Sequence, residues 1–257
     1  MNTSATTQPK AFILTLSNEL LDIIAVHLLT DLSALSKFSQ TCRELEAIAR
    51  PVMFKSFSEP DGSEREADKG LQVFLESIQQ NSKLGAYVRN LRITDLQCSK
   101  DAEDSHHGLF SAFMTLAPKS LDISTIVLVN SGIAWKPLLA LLAACKGLKF
   151  FSYACGHELG IFDQTNFGDL VDEIQSKHGG SMERIGRFDP STSEWESEHD
   201  RDYLRDLEKD VSVKFPKLKQ IRTCIYEVDL AGFDEVIKSF AAKGVEALVD
   251  WYGVWQD

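Results

Sequence analysis

The residues in this chain best suited to chemistry are few, and they are not spaced to cooperate. Cys155 and His157 lie two residues apart in YACGHELG, a thiol beside a base. A nucleophile and its base usually come from distant parts of a chain and need a third group to orient the base, and none is evident. His106 and His107 are adjacent, so on a helix or strand they point to different sides and do not readily share one metal ion. Gly179 and Gly180 follow Lys177 and His178. With no Gly-Lys-Ser/Thr and no GxGxxG after a strand, the pair reads as a helix C-terminal cap rather than a phosphate loop. The acid-rich stretch Glu194–Asp210 lacks the loop spacing and central Gly of a calcium site and reads as a solvated helix. Neither HExxH nor GxSxG occurs. The expectation is a non-catalytic chain with no catalytic residue, no metal ligand and no cofactor.

Composition narrows the class further. The 257 residues carry 27 basic and 38 acidic side chains, a net charge of −11, which disfavours a nucleic-acid partner. Five cysteines, none closer than ten residues to the next, suggest neither a disulfide framework nor a CxxC knuckle. Reduced thiols in the cytoplasm, the nucleus or both are the natural reading. The longest apolar run, Leu138 to Cys145, is far short of a membrane span, and the first ten residues lack a signal-peptide core. Residues 1–10 are expected to be a disordered tail, with no membrane partner.

Whatever function exists must therefore be carried by surfaces, and the elements that would form them can be read in order. In residues 11–57, Leu20, Ile24 and Leu28 recur at four-residue spacing beside a second row, Leu21 and Ala25, giving a wide apolar stripe on a helix. Ser17 is placed as its N-cap, with Glu19 in the first turn. Thr30 or Asp31 opens a short second helix carrying Leu32, Leu35 and Phe38. Thr41 and Glu44 have capping-box spacing for a third helix, which Pro51 is expected to end. Three short helices make a thin core, and the apolar positions exceed what one internal face needs.

The pattern Leu16, Ser17, Glu19, Leu20, Leu21, Ile24, His27, Leu28, Asp31, Leu32, Leu35, Phe38, Ser39, Thr41, Cys42, Arg43, Leu45, followed by Ala49, Pro51 and Phe54, resembles the F-box of fungal proteins. The resemblance covers about a fifth of the chain. It departs at Ser17, where the family prefers proline, which implies a somewhat weaker grip on the partner. It implies a Skp-type adaptor and, through it, a cullin as partners. The adaptor-binding residues would be Leu16, Leu20, Leu21, Ile24, Leu28, Leu32, Leu35 and Cys42.

Residues 58–70 are polar, with Pro and Gly, and read as a loop. From residue 71 to 257, helix-like stretches alternate with short apolar segments. These begin at Val88, Ile123, Leu148, Met182, Leu218 and Val245, spaced by 35, 25, 34, 36 and 27 residues. One helix and one strand per unit imply a parallel sheet. Alternation of Leu91 and Ile93 with Arg92 and Thr94 favours a sheet with one apolar face. This beat resembles a degenerate leucine-rich repeat. The expected fold is thus α/β: an N-terminal three-helix F-box-like module followed by an irregular helix–strand repeat solenoid with a parallel sheet.

In that beat the fifth position places Arg92, Val127, Ser152, Gly186, Arg222 and Val249 on the open face. The seventh places Thr94, Val129, Ala154, Phe188, Cys224 and Trp251 there. Arg92, Val127, Phe188, Arg222 and Trp251 are the candidate target-binding residues. Trp251, Tyr252 and Trp255 read as a cap on the last repeat. The functional expectation is a substrate-receptor subunit of a Skp–cullin–F-box type ubiquitin ligase that tethers an unknown protein target. The alternatives are an F-box-like scaffold outside a ligase and an α/β enzyme with an unrecognised site.

Overall fold

The computed structural model describes residues 12–58, 64–94, 114–129, 131, 133, 135–154, 167–188, 194–225 and 231–251. The expectations for residues 1–10, His106, His107, Cys155, His157, Tyr252 and Trp255 lie outside them. The chain divides into two compact units, Met1–Lys55 and Ser56–Asp257.

In the first unit, α1 (Asn18–His27), α2 (Leu32–Thr41) and α3 (Arg43–Lys55) follow a 3-10 turn at Phe12–Thr15. Ser17 precedes α1, but its hydroxyl serves the Glu19 carboxylate, which it holds below the usual carboxylate range, rather than capping the backbone. Asp31 caps α2, its Oδ1 accepting from Ala34 N at 2.9 Å. The capping box expected at Thr41 and Glu44 does not form. Thr41 ends α2 with its hydroxyl donating to Lys37 O at 3.0 Å, and Cys42 takes the cap position, its carbonyl accepting from Glu46 N at 2.9 Å. Nor does Pro51 stop α3, which runs on to Lys55. A proline deep in a helix forfeits a bond to the preceding turn, and packing of Leu45 and Ala49 from the same helix outweighs that loss. Leu21, Ala25, Leu35, Phe38, Leu45 and Ala49 form the core.

The second unit is a seven-stranded sheet: β1 (Ser56–Ser58), β2 (Asn90–Thr94), β3 (Thr125–Val129), β4 (Phe150–Ala154), β5 (Arg184–Phe188), β6 (Gln220–Ile225) and β7 (Glu246–Trp251). Its strands lie side by side in chain order and every pair is parallel. α4 (Glu64–Gln80) and the single turn α5 (Ser82–Gly85) precede β2, and α4 starts inside the segment expected to be a loop. α6 (Trp135–Ala144), α7 (Phe167–His178), α8 (Glu194–Lys214) and α9 (Ala231–Ala242) each precede one of the last four strands. The order never reverses, so there is no switch point of the doubly wound kind. Right-handed crossovers in one direction put successive helices on one face. α6 accordingly packs on α7, α7 on α8 and α8 on α9.

Burial follows that geometry. Leu91 and Ile93, Ile126 and Leu128, Phe151 and Tyr153, Ile185, and Ile221 and Thr223 are buried at alternate strand positions. Leu204 of α8 and Phe233, Val236 and Phe240 of α9 lie against this face at β6 and β7. Strands β3 to β6 also enter the sheet the same way. The carbonyls of Arg89, Ser124, Lys149 and Glu183 each accept two backbone N–H bonds from the start of the next strand, at 2.8–3.2 Å. Just before each of β2 to β7 sits a buried apolar residue: Val88, Ile123, Leu148, Met182, Leu218 and Val245.

Charged side chains brace the same edge. Lys146 Nζ lies 2.7 Å from Asp122 Oδ1, and Arg89 lies 3.3 Å from Oδ2, holding the Asp122 carboxyl below its ordinary range. Glu183 is held low in the same sense by Lys219 at 2.8 Å, helped by Lys149 at 3.5 Å.

Candidate functional site

Each unit presents one surface. In the first unit the inward half of α1 is spent on the core: Leu21 is 3% exposed and Ala25 fully buried, while Ile24 and Leu28 pack partly against them. Leu35 is fully buried, and Leu16 and Cys42 are half-buried. Of the expected adaptor-binding residues, Leu21 and Leu35 are therefore interior. The four-residue row Leu20, Ile24, Leu28 also splits, because 3.6 residues per turn rotates Ile24 and Leu28 toward the core and leaves Leu20 outside. The apolar side chains that do face solvent are Leu20, Ile23, Val26 and Leu32, each 48–60% exposed. Ile23 and Val26 escape a reading at four-residue spacing; their three-residue steps from Leu20 are the signal that finds them.

On the second unit, register defines the open face of the sheet. Ser58, Arg92, Val127, Ser152, Gly186, Arg222 and Leu248 follow one another across the strands as partners in a single row. Arg92 and Arg222 thus share one face, as the beat required. The row two residues earlier holds Ser56, Asn90, Thr125, Phe150, Arg184, Gln220 and Glu246. Ala154 and Phe188 are paired in the row two residues later, as are Cys224 and Asp250.

The last strand corrects two expectations. Leu248, not Val249, is opposite Arg222; Val249 is opposite the buried Thr223. Trp251 is opposite Ile225, on the core-facing parity, and Asp250 takes the open-face place expected for Trp251. Arg184, exposed and on the open face, went unread because only the fifth and seventh positions of the beat were projected outward.

The described residues hold no cluster of three or more His, Cys, Asp or Glu able to bind a metal ion. No helix among them is long and apolar enough to cross a membrane. His178 is buried and structural: its Nε2 lies 2.9 Å from Leu142 O and its Nδ1 3.5 Å from Leu148 N, tying the end of α7 to the end of α6 and the entry of β4. Burial depresses its pKa, which keeps the ring neutral as this bonding requires.

The arrangement offers exposed apolar side chains on a small helical unit and a parallel sheet with arginines at register positions of one face. No family model matches the chain, and no curated protein matches it.

Proposed function

We propose that the chain is a substrate-receptor subunit of a Skp–cullin–F-box type ubiquitin ligase. In this reading the first unit is an F-box-like module and the second a leucine-rich-repeat-like solenoid whose open sheet face holds the target. The observation that carries it is the solvent exposure of Leu20, Ile23, Val26 and Leu32, which stand outside the core formed by Leu21, Ala25, Leu35, Phe38, Leu45 and Ala49. Four large apolar side chains on one helix and the start of the next form the anchor pattern by which a helix docks in a partner's groove. The chain-order parallel sheet supports the second half, since a repeat array places each unit against its predecessor. The receptor needs no chemistry of its own. Tethering raises the effective concentration of target lysines near the conjugating enzyme.

Co-purification from cells tests the reading: adaptor and cullin should come down with the chain. Ile23→Asp should weaken adaptor capture by roughly a hundredfold, because the charge would be desolvated without a partner. Ile23 is chosen over Ile24 because it is 52% exposed, so the unit should keep its fold, which circular dichroism would verify. Undiminished capture by folded Ile23→Asp protein would refute the assignment.

A further inference from the structure

The turns that lead into the strands carry the opposite charge to the chain as a whole. Because the sheet is all-parallel and in chain order, the stretches entering β2 to β7 line one edge of it. They are residues 81–89, 114–124, 145–149, 179–183, 215–219 and 243–245. Together they hold eight basic side chains and two acidic ones, in a chain of net charge −11. The stretches are also tied to one another. Asp122 N bonds Gly85 O at 3.4 Å, Lys146 N bonds Leu121 O at 2.9 Å and Lys149 N bonds Ser124 O at 2.8 Å. Glu183 N on Lys149 O and Lys219 N on Glu183 O continue the series at 2.8 Å each. Arg89, Lys149 and Lys219 thus stand on every second turn of one row, about 10 Å apart at about 4.8 Å per strand.

The two carboxylates do not neutralise this rim. Asp122 is shared by Arg89 and Lys146, and Glu183 by Lys149 and Lys219, so each trio keeps one positive charge. The cations are also the outer members: Lys149 and Lys219 are 60% and 70% exposed, against 30% for Glu183. No carboxylate among the described residues pairs with Lys83, Lys119 or Lys217, all three exposed. Lys149 and Lys219 lie five residues past the ends of α6 and α8, too far along the chain for the helix dipole to account for them. Lys119 alone among the described non-glycine residues has a left-handed backbone, φ 53°, where glycine would sit without strain. The turn therefore holds an outward cation against its own conformational preference.

We propose that this rim binds an acidic segment of a partner protein, whose carboxylates rest on Lys119, Lys149, Lys217 and Lys219. The mixed charge favours a peptide over a nucleic acid. Asp122 and Glu183 lie among the cations, and a phosphate backbone, charged at every step, would meet them in repulsion. A peptide places neutral residues opposite them and acids opposite the lysines.

Fluorescence polarisation with the full chain tests this, using three labelled probes: a sixteen-residue peptide of alternating Glu and Ala, the same peptide with Gln for Glu, and a short DNA duplex. The Glu peptide should bind roughly tenfold more tightly than either other probe, and raising salt from about 0.05 M to about 0.3 M should weaken it by a similar factor. Reversing two exposed, unpaired rim charges, Lys119→Glu with Lys217→Glu, should weaken it by roughly tenfold with unchanged melting. Lys119→Gln with Lys217→Gln removes the charges without adding any and should weaken it by roughly threefold, so a folding defect in the first variant leaves the test standing. Lys136→Glu with Lys238→Glu makes the same change of net charge at exposed positions on α6 and α9, off the rim, and should leave binding as it was. The inference is overturned if the Gln peptide or the duplex binds as tightly as the Glu peptide, if both rim variants bind like wild type, or if the α6 and α9 variant loses as much as the rim reversal. Adaptor capture is read on the first unit through Ile23→Asp, so failure of either reading is seen without the other.

Discussion

Gly179 and Gly180 are adjacent, yet alanine should act in opposite directions at the two positions. A Cβ built on Gly179 would come within 2.5 Å of Lys214 O, the last carbonyl of α8, and 2.7 Å of Gln175 O in α7. Ordinary contact begins near 3.4 Å, so backbone would have to retreat by about 0.9 Å at Lys214 O and about 0.7 Å at Gln175 O. Neither obstacle is a side chain that can swing away. Overpacking of this kind costs about 1–3 kcal/mol, against which alanine returns about 0.4–1 kcal/mol by restricting the unfolded chain. The net is about 1–2 kcal/mol of destabilisation. For a unit of this size that lowers the melting temperature by about 2–8 °C. At Gly180 nothing lies within 4 Å of the added carbon and the backbone is not left-handed, so only the unfolded-state gain of about 0.4–1 kcal/mol remains. Paired thermal melts of the two variants measure the difference directly. If Gly179→Ala melts at or above Gly180→Ala, the ends of α7 and α8 do not meet as described, and the stacking of successive helices is wrong.

Two further outcomes follow from buried groups. His178 has its pKa lowered by burial, so the unfolded state takes up its proton at a higher pH than the folded state does. Its contribution is whole above about pH 6.5 and is lost as pH falls through the folded pKa. Melting temperature should therefore drop more steeply from pH 7 to 5 in the wild type than in His178→Gln; parallel curves would show that the ring does not titrate against the fold. The Cys145 thiol donates to Leu141 O at 3.3 Å and is pushed up to about 12 by burial. It should resist alkylation at pH 8 in the native protein, whereas denatured protein should show five modified cysteines by mass; rapid native labelling of Cys145 would place it outside the core.

What the sequence made legible was whatever burial dictates. Phe167–His178 was bounded at both ends because Leu170, Val171 and Ile174 must face inward, and Gly179 admits no side chain. The repeat spacings of 35, 25, 34 and 36 residues are the register of β2 to β6 itself, since each buried residue before a strand fixes where that strand enters. Features set by local competition were harder to read. β1 was missed because Ser-Phe-Ser offers one apolar side chain and no periodicity to detect. The Thr41 capping box lost to a helix that claims the threonine as its last residue. The solvent-facing side of α1 was read one step off because exposure of Ile23 rather than Ile24 depends on which side of α1 the other helices occupy.

The slip at β7 has an identifiable cause, and it concerns a glycine that attracted no notice in the sequence. Gly244 has φ +76°, Gly244 N bonds Ala241 O at 3.0 Å, and Val245 N bonds Phe240 O at 3.0 Å. This is the paired bonding of a Schellman cap, the termination that Gly179 and Gly180 were expected to supply. At the four preceding strand entries, both the residue before the strand and the strand's first residue donate to the previous strand. Here the cap has taken Val245 N, so only Glu246 N reaches Lys219 O, at 2.8 Å. The buried apolar residue thus stands one place before the strand instead of two, and the spacing from Gln220 to its partner Glu246 is 26 residues rather than the 27 read from the apolar beat. A one-residue shift exchanges the two faces of a strand. By register it puts Trp251 on the core parity and Asp250 in the row of Cys224, and so it is the cap of α9 that sets the parity of β7.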